Sequence, residues 1–232
     1  MRPRLARVFD APPQDQLQIE ATPTGVEDGS DQANYFPASL DGSTPGRVRL
    51  NLQALASSPR FALPVLVYHE GIPGHHLQKS YARRAMSMRF AAYAEGWALY
   101  AEQLADQIGG YATPLDRIGY LQSRLFRAAR LVVDTGIHTR QWSRERATDY
   151  LVTATGTSRS HSQREIDRYC VRPGQACSYM VGYLAWKRAL DGAQRTLGPR
   201  YDRKALLAIL GRGVLLLPIL ERLIGERVRM MA

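Results

Sequence analysis

Cysteine, lysine and long apolar runs are scarce in this chain of 232 residues. Cys170 and Cys177 are the only cysteines, which is too few for a disulfide framework, and their spacing is not Cys-x-x-Cys. Lysine occurs at three positions only, so the formal net charge of +10 comes from scattered arginines. Because there is no basic run and no interleaving of basic and aromatic residues, we expect no nucleic-acid partner.

Apolar stretches of the length needed for targeting or insertion are also missing. Residues 1–4 lead into no apolar core of signal-peptide length. The apolar run at residues 214–220 is too short to span a membrane. We therefore expect a cytoplasmic protein without a membrane span.

Histidine is concentrated in one place, because three of the five histidines fall at positions 69, 75 and 76. His69 is followed directly by Glu70. Neutral imidazoles are zinc ligands, and a carboxylate next to a ligand can take a proton from the attacking water. The cluster therefore predicts a zinc site with His69 as a ligand and Glu70 as general base.

The spacing within the cluster leaves the second ligand open. On a regular helix His75 would lie about 240° round from His69, and His76 would lie roughly 10.5 Å further along the axis. Pro73 and Gly74 make a regular helix improbable at this point. If two residues bulge out, His75 takes the position one turn after His69, and if three do, His76 takes it. The smaller distortion favours His75.

A third ligand is needed for a catalytic zinc, and Glu95 is our choice. It lies twenty residues after His75, on a predicted second helix that can return to the first. Its apolar neighbours indicate a buried carboxylate, which needs a partner such as a metal. Glu102, further along the same helix, is interpreted as a surface residue.

The predicted fold is α+β and mostly helical. Residues 1–14 are expected to be an irregular lead-in, and residues 15–232 a single domain. Short strand patterns within residues 15–53 predict a small antiparallel sheet, and the pattern is helical over residues 60–232. Helices are expected at residues 61–70, 83–107 and 114–140, the last of them opened by Thr113-Pro114. Later helices are expected to start at Ser143, at a capping box of Ser162 and Glu165, at Pro173-Gly174, at Asp202 and at Pro218.

Several motifs in this order resemble the bacterial family called domain of unknown function 885, specifically its C-terminal half. They are Asp41-Gly42 with Pro45-Gly46 and Asn51, His69-Glu70 with Pro73-Gly74-His75-His76-Leu77-Gln78, Tyr93-Ala94-Glu95-Gly96-Trp97, residues 130–138, and Arg168-Tyr169 with Pro173-Gly174-Gln175-Ala176. The resemblance implies a zincin-like fold similar to the glutamate-liganded zinc peptidases. It implies zinc bound by His69, His75 and Glu95, with Glu70 as base. Members of the family are usually longer and carry a helical N-terminal half.

Other residues are candidates for the same site. Tyr179 resembles the tyrosine that stabilises the oxyanion in related oligopeptidases. His138, oriented by Asp134 four residues earlier, is a second candidate for that role. The substrate-binding candidates are His76, Arg130 and Tyr169.

The predicted function is zinc-dependent hydrolysis of peptide bonds, with a peptide as substrate and Zn²⁺ as cofactor. A hydrolase that acts on a non-peptide amide is the next hypothesis. The alternative is a catalytically weak or inactive zincin-fold interaction module. In either case, a second copy or a separate chain equivalent to the N-terminal half is expected to complete the cleft.

Overall fold

The computed structural model describes residues 1–10, 15–25, 32–56, 58–82 and 90–232. A small sheet comes first in the chain, and helices make up most of the rest. The helices are α1 (Arg2–Leu5), α2 (Leu52–Ala56), α3 (Leu63–Glu70), α4 (His75–Tyr81), α5 (Ala91–Gln107), α6 (Pro114–Arg140), α7 (Arg144–Thr155), α8 (Arg159–Val171), α9 (Gln175–Leu197), α10 (Arg203–Leu207) and α11 (Leu217–Met231). Short 3₁₀ segments stand at Arg60–Ala62, Gly198–Arg200 and Ala208–Arg212.

The sheet is mixed, not antiparallel as expected. Its strands are β1 (Leu17–Ala21), β2 (Ala33–Phe36) and β3 (Gly46–Leu50), in the order β1-β3-β2. β2 pairs antiparallel with β3, but β1 pairs parallel with it. A parallel pair needs a connection of about a dozen residues or more. The chain between β1 and β3 is long enough for that, and β2 lies within it.

Most of the predicted helix starts are confirmed. Thr113 and Asp116 form a capping box at the start of α6, and the Ser143 hydroxyl accepts from the Arg146 amide at the start of α7. Gly174 precedes α9, Asp202 caps α10, and Pro218 lies in the first turn of α11.

Two predicted helix starts differ from the structure. The capping box at Ser162 is wrong, because α8 begins earlier with Ser158 as its cap, and Ser162 is buried inside the helix. Of the helix expected over residues 83–107, the described part begins at Ala91, and residues 83–89 lie outside the described residues.

The first ten residues contribute to the core. Helix α1 lies where an irregular lead-in was expected, and Leu5, Val8 and Phe9 are buried in the main hydrophobic cluster. Residues 11–14 lie outside the described residues. The described part of the lead-in therefore packs with the domain that follows it.

Helices α5 and α9 form the centre of the fold, and two glycines set their distance. A Cβ atom built on Gly96 would lie 2.3 Å from the backbone carbon of Gly182, and one on Gly182 would lie 1.7 Å from the carbonyl oxygen of Ala92. The two helices therefore touch backbone to backbone. Trp97 from α5 and Trp186 from α9 pack beside this contact with ring centroids 5.1 Å apart. This close crossing positions Glu95 of α5 and Tyr179 of α9 for the site described next.

Candidate metal centre

A sharp loop between α3 and α4 brings two histidines together. Helix α3 ends at Glu70 and α4 begins at His75, with a cis peptide bond between Ile72 and Pro73. A Cβ atom on Gly74 would lie 1.9 Å from the carbonyl oxygen of His69, so only glycine fits there. As a result, the His69 and His75 rings lie 5.0 Å apart between centroids.

The buried indole of Trp97 supports this loop from α5. Its Nε1 donates to the carbonyl oxygens of Pro73 at 3.1 Å and Gly74 at 3.3 Å. The loop is therefore tied to the helix that carries Glu95.

Glu95 completes a cluster of three donors. Its Oε2 atom lies 3.4 Å from Nε2 of His69 and 3.4 Å from Nε2 of His75. All three donor atoms lie within 4.8 Å of one another. Tetrahedral zinc with bonds of about 2.0–2.1 Å places its donors roughly 3.3 Å apart. The two His–Glu separations match this value, and imidazole and carboxylate are residue types that bind zinc.

Each histidine of the cluster has a second partner that orients its ring. Nδ1 of His69 lies 2.7 Å from Oε1 of Glu102, which is buried, and Nδ1 of His75 lies 3.5 Å from Oε1 of Gln78. A carboxylate behind a metal-binding histidine fixes its tautomer and turns the other nitrogen toward the metal. Glu102 was interpreted as a surface residue, and that interpretation is wrong. Glu102 follows Glu95 by seven residues, or about two helical turns, so the sequence spacing alone places both side chains on one helix face.

The charges of the cluster depend on one another. Burial alone would lower the pKa of His69, but hydrogen bonds with Glu102 and Glu95 outweigh burial and raise the pKa to about 10. Burial alone would raise the pKa of Glu95, but His75 and His69 hold it well below its usual range. Without a metal, the raised pKa keeps His69 protonated beside the negative Glu95 carboxylate, so a metal that binds at the cluster must displace this proton.

Glu70 lies beside the cluster without joining it. It is 8 % exposed, and within the described part of the chain its carboxylate makes no hydrogen bond. Burial raises the pKa of Glu70, while the nearby His69 and His75 lower it. A carboxylate with a raised pKa and free oxygens has the properties of a general base.

His76 does not lie where a substrate-binding residue was predicted. It is 1 % exposed, its Nδ1 lies 3.1 Å from the hydroxyl of Tyr35, and its Nε2 lies 3.1 Å from the carbonyl oxygen of Asp15. Both ring nitrogens are therefore used within the protein, next to the sheet. His76 is neither in the three-donor cluster nor available to a substrate.

Tyr179 stacks on His69, with ring centroids 6.2 Å apart and planes 23° apart. Burial raises the pKa of its hydroxyl, which stays protonated and can donate a hydrogen bond. The guanidinium of Arg130 lies 4.2 Å from the centre of the Tyr179 ring, but Arg130 is 1 % exposed and donates to Gln175 at 3.5 Å. Tyr179 therefore lies against the donor cluster, whereas Arg130 is buried against the Tyr179 ring.

His138, Asp134 and Tyr169 serve the packing of α6, α8 and α9. The Asp134 carboxylate accepts from the Gly174 amide with both oxygens at 3.1 Å. It lies 3.9 Å from Nε2 of His138, which donates to the Tyr169 carbonyl at 3.1 Å. Tyr169 is 1 % exposed, and its hydroxyl donates to Glu165 at 2.8 Å. These contacts leave Tyr169 no surface for a substrate, and they place Asp134 within ion-pair distance of His138, as predicted, without a hydrogen bond between them.

The structure is a mostly helical α+β protein in which buried His69 and half-buried His75 and Glu95 form a cluster that could hold a metal ion. The chain belongs to the family of bacterial proteins of unknown function DUF885, whose model matches residues 1–224. No curated protein matches the chain.

The solved structures that are similar include two bacterial proteins. A "putative lipoprotein" from Colwellia psychrerythraea is 36% identical, covers 99% of this chain and 41% of its own, and has a TM-score of 0.92. A "putative lipoprotein of unknown function" from Shewanella oneidensis is 20% identical, covers 97% of this chain and 44% of its own, and has a TM-score of 0.80, which shows the fold alone. The chain thus spans about two fifths of the length of both. None of the helices in the described ranges combines the length and apolar character needed to cross a membrane.

Proposed function

We propose that this protein is a zinc-dependent hydrolase that cleaves peptide bonds, of the glutamate-liganded zincin type. The observation that carries the proposal is the convergence of Nε2 of His69, Nε2 of His75 and Oε2 of Glu95 at separations suited to one ion. Zinc, when bound, would act as a Lewis acid on the carbonyl of the substrate and on water. Three protein ligands leave the fourth position for substrate or water, as in catalytic zinc sites.

The chain's own residues supply the remaining roles. Glu70, buried beside the ligands and without a hydrogen-bond partner among the described residues, takes a proton from water and passes it to the leaving amine. Tyr179, stacked on His69, offers its hydroxyl to the oxyanion. Glu102 keeps His69 oriented.

Zinc content and hydrolysis together test the proposal. Protein purified without a chelator or a metal-affinity tag should contain about one equivalent of zinc. It should also cleave members of a mixed peptide library, detected by mass spectrometry. His69→Ala and Glu95→Ala should each lose both zinc and cleavage. Unchanged zinc content in both variants would remove the assignment of the ligands.

A second candidate function is an interaction module with this fold and little or no catalysis. The observation that favours it is an exposed apolar face on α6, where Leu115, Ile118, Leu121 and Leu125 are each at least 50 % exposed. Such a face is typical of an interface. Full zinc occupancy without cleavage of any peptide in the library would favour this function over the hydrolase.

The two similar structures support a proposal about the cellular location. Both similar structures are described as "putative" lipoproteins, and a lipoprotein is held at a membrane by its lipid. We propose a location outside the cytoplasm in place of the expected cytoplasmic one. Fractionation of the native cells with an antibody to this chain would test it, and recovery in the cytosol would contradict it.

A further inference from the structure

Three arginines on one face of α6 lie against two tyrosines of α9. Arg124, Arg127 and Arg130 are three residues apart, and Tyr179 and Tyr183 are four apart, so each set shares a helix face. The guanidinium of Arg124 lies 4.7 Å from the centre of the Tyr183 ring. Those of Arg127 and Arg130 lie 5.2 and 4.2 Å from the centre of the Tyr179 ring.

The two outer arginines are engaged with protein groups. Arg124 donates to the hydroxyls of Tyr120 and Tyr183. Arg130 is buried, donates to Gln175 and faces the charge of Glu165. Neither guanidinium has its full fork available to a ligand.

The middle arginine differs from both. Its Nε atom, like that of Arg130, is buried without a hydrogen-bond partner, but among the described residues the rest of the Arg127 guanidinium also makes no hydrogen bond and no ion pair. The residue as a whole is only half-buried, so its fork is within reach of a ligand. A guanidinium fork matches a carboxylate through two parallel hydrogen bonds.

Arg127 is also next to the metal cluster. The Tyr179 ring under its guanidinium stacks on His69. Its positive charge is close enough to Glu70 to lower the pKa of that carboxyl. A ligand held by Arg127 would therefore lie beside both the zinc ligand and the base.

We propose that Arg127 binds a carboxylate of the substrate, so that the preferred substrates are peptides with a free carboxylate close to the cleaved bond. This inference rests on the proposed hydrolase function. We assign this carboxylate to the C-terminus of a short peptide, because a single arginine beside the donor cluster can hold one end of a small substrate. The carboxylate of an acidic side chain could make the same hydrogen bonds to Arg127, and the test below distinguishes it from the C-terminal carboxylate.

The test uses N-acetylated dipeptides in three forms: with a free C-terminal carboxylate, with a C-terminal amide, and with an amide plus a glutamate side chain. The wild-type protein should prefer the first form. Arg127→Gln should lower kcat/KM for that form by roughly 10- to 100-fold, the range for hydrogen bonds to a charged group. Its zinc content should not change, and its rate on the plain amide should fall by a smaller factor than its rate on the free acid. Arg127→Lys keeps the charge and loses the fork, so its kcat/KM for the free-acid form should lie between those of the wild type and Arg127→Gln.

The control variant is Arg159→Gln, which removes an exposed arginine paired with Asp149 on the surface. It should leave all three rates unchanged. A wild-type preference for the glutamate-containing amide over the free acid, lost in Arg127→Gln, would reassign the carboxylate to a side chain and overturn the C-terminal form of the inference.

Direct binding separates this inference from the proposed function. Calorimetry should show that an acetylated dipeptide acid binds to Glu70→Gln protein more tightly than its amide, and that adding Arg127→Gln removes the difference. If no peptide is cleaved but this difference is present, the carboxylate site stands and the hydrolase does not. If peptides are cleaved and Arg127→Gln treats acid and amide as the wild type does, the inference is wrong and the hydrolase stands.

Discussion

The carboxylate of Glu102 accepts a hydrogen bond from Nδ1 of His69 at 2.7 Å, from a position that is 1 % exposed. The opposite nitrogen of the same ring faces Glu95 at 3.4 Å. One imidazole therefore lies between two glutamates of α5, one in the donor cluster and one behind it. Glu102 is therefore linked to the donor cluster through His69, although its own oxygen does not belong to the cluster.

Replacing Glu102 should weaken zinc binding without abolishing it. Glu102→Gln keeps the shape and removes the charge that orients His69, so we expect zinc affinity to fall by about 10- to 100-fold. Competition with a chelator of known affinity measures this. Asp106→Asn is a matched control on the same helix, since that carboxylate pairs with Arg117 at the surface. Equal zinc affinity in Glu102→Gln and the wild type would show that His69 needs no such support.

Glu70→Gln should keep zinc and lose turnover. The amide has the shape of the carboxylate but cannot take a proton, so kcat should fall by about 10²-fold or more. Zinc analysis and steady-state kinetics on the same preparation measure both quantities. Glu221→Gln, on the surface of α11 beside Arg188, should change neither. Loss of zinc from Glu70→Gln would make Glu70 a ligand and overturn its role as base.

His75 and His76 should give opposite phenotypes. His75→Ala removes a donor of the cluster and should lose zinc while the protein stays folded. His76→Ala removes buried hydrogen bonds to Tyr35 and Asp15, so it should keep zinc and lower the free energy of unfolding by about 1–3 kcal/mol. Zinc titration and urea unfolding distinguish the two. Zinc lost from His76→Ala at unchanged stability would contradict the structure.

The contact between α5 and α9 should not tolerate a methyl group. Gly182→Ala would force the new Cβ into the backbone of α5, and overpacking of this kind costs about 1–3 kcal/mol or more. Gly192→Ala, on the same helix, has only the end of the Arg195 side chain within 4 Å and should be neutral or stabilising by up to about 1 kcal/mol. Chemical unfolding of both variants checks this. A Gly182→Ala protein as stable as Gly192→Ala would show that the helices can move apart freely.

The exposed apolar face of α6 should cause the isolated chain to associate with a second copy. Val67 of α3 lies beside Leu115 in a groove of about 520 Å³, which extends that face. We expect light scattering to give a dimer or larger, and Ile118→Glu with Leu125→Glu to return it to a monomer. Leu40→Glu changes an apolar residue that is 84% exposed at a turn and serves as the control. A wild-type monomer at high concentration would contradict the prediction.

Much of the site could be predicted because its signals are local. His69 and Glu70 are adjacent, Pro73 and Gly74 mark the break in the helix, and the apolar surroundings of Glu95 indicate a buried carboxylate. The structure brings His69, His75 and Glu95 together as the sequence suggested. The capping signals at Thr113 and Ser143 are local in the same sense.

What could not be predicted depends on contacts between distant segments. The parallel pairing of β1 with β3 depends on the path of the connection and not on the strand patterns. His76 faces the sheet because Tyr35 and Asp15 lie there, forty or more residues earlier. Arg130 and Arg127 look alike in sequence, and only the partners of Arg130 in α8 and α9 separate them.

The neighbours His75 and His76 face opposite ways, one toward the metal cluster and one toward the sheet. Both partners of His76, Tyr35 and Asp15, come from the segment before residue 52. A truncated protein that began there would lose this anchor beside a donor of the cluster, together with the core side chains of Leu5, Val8 and Phe9. The small sheet and the segment before it therefore hold His76, the neighbour of His75, in place, and we expect any unit that binds a metal at the cluster to include them.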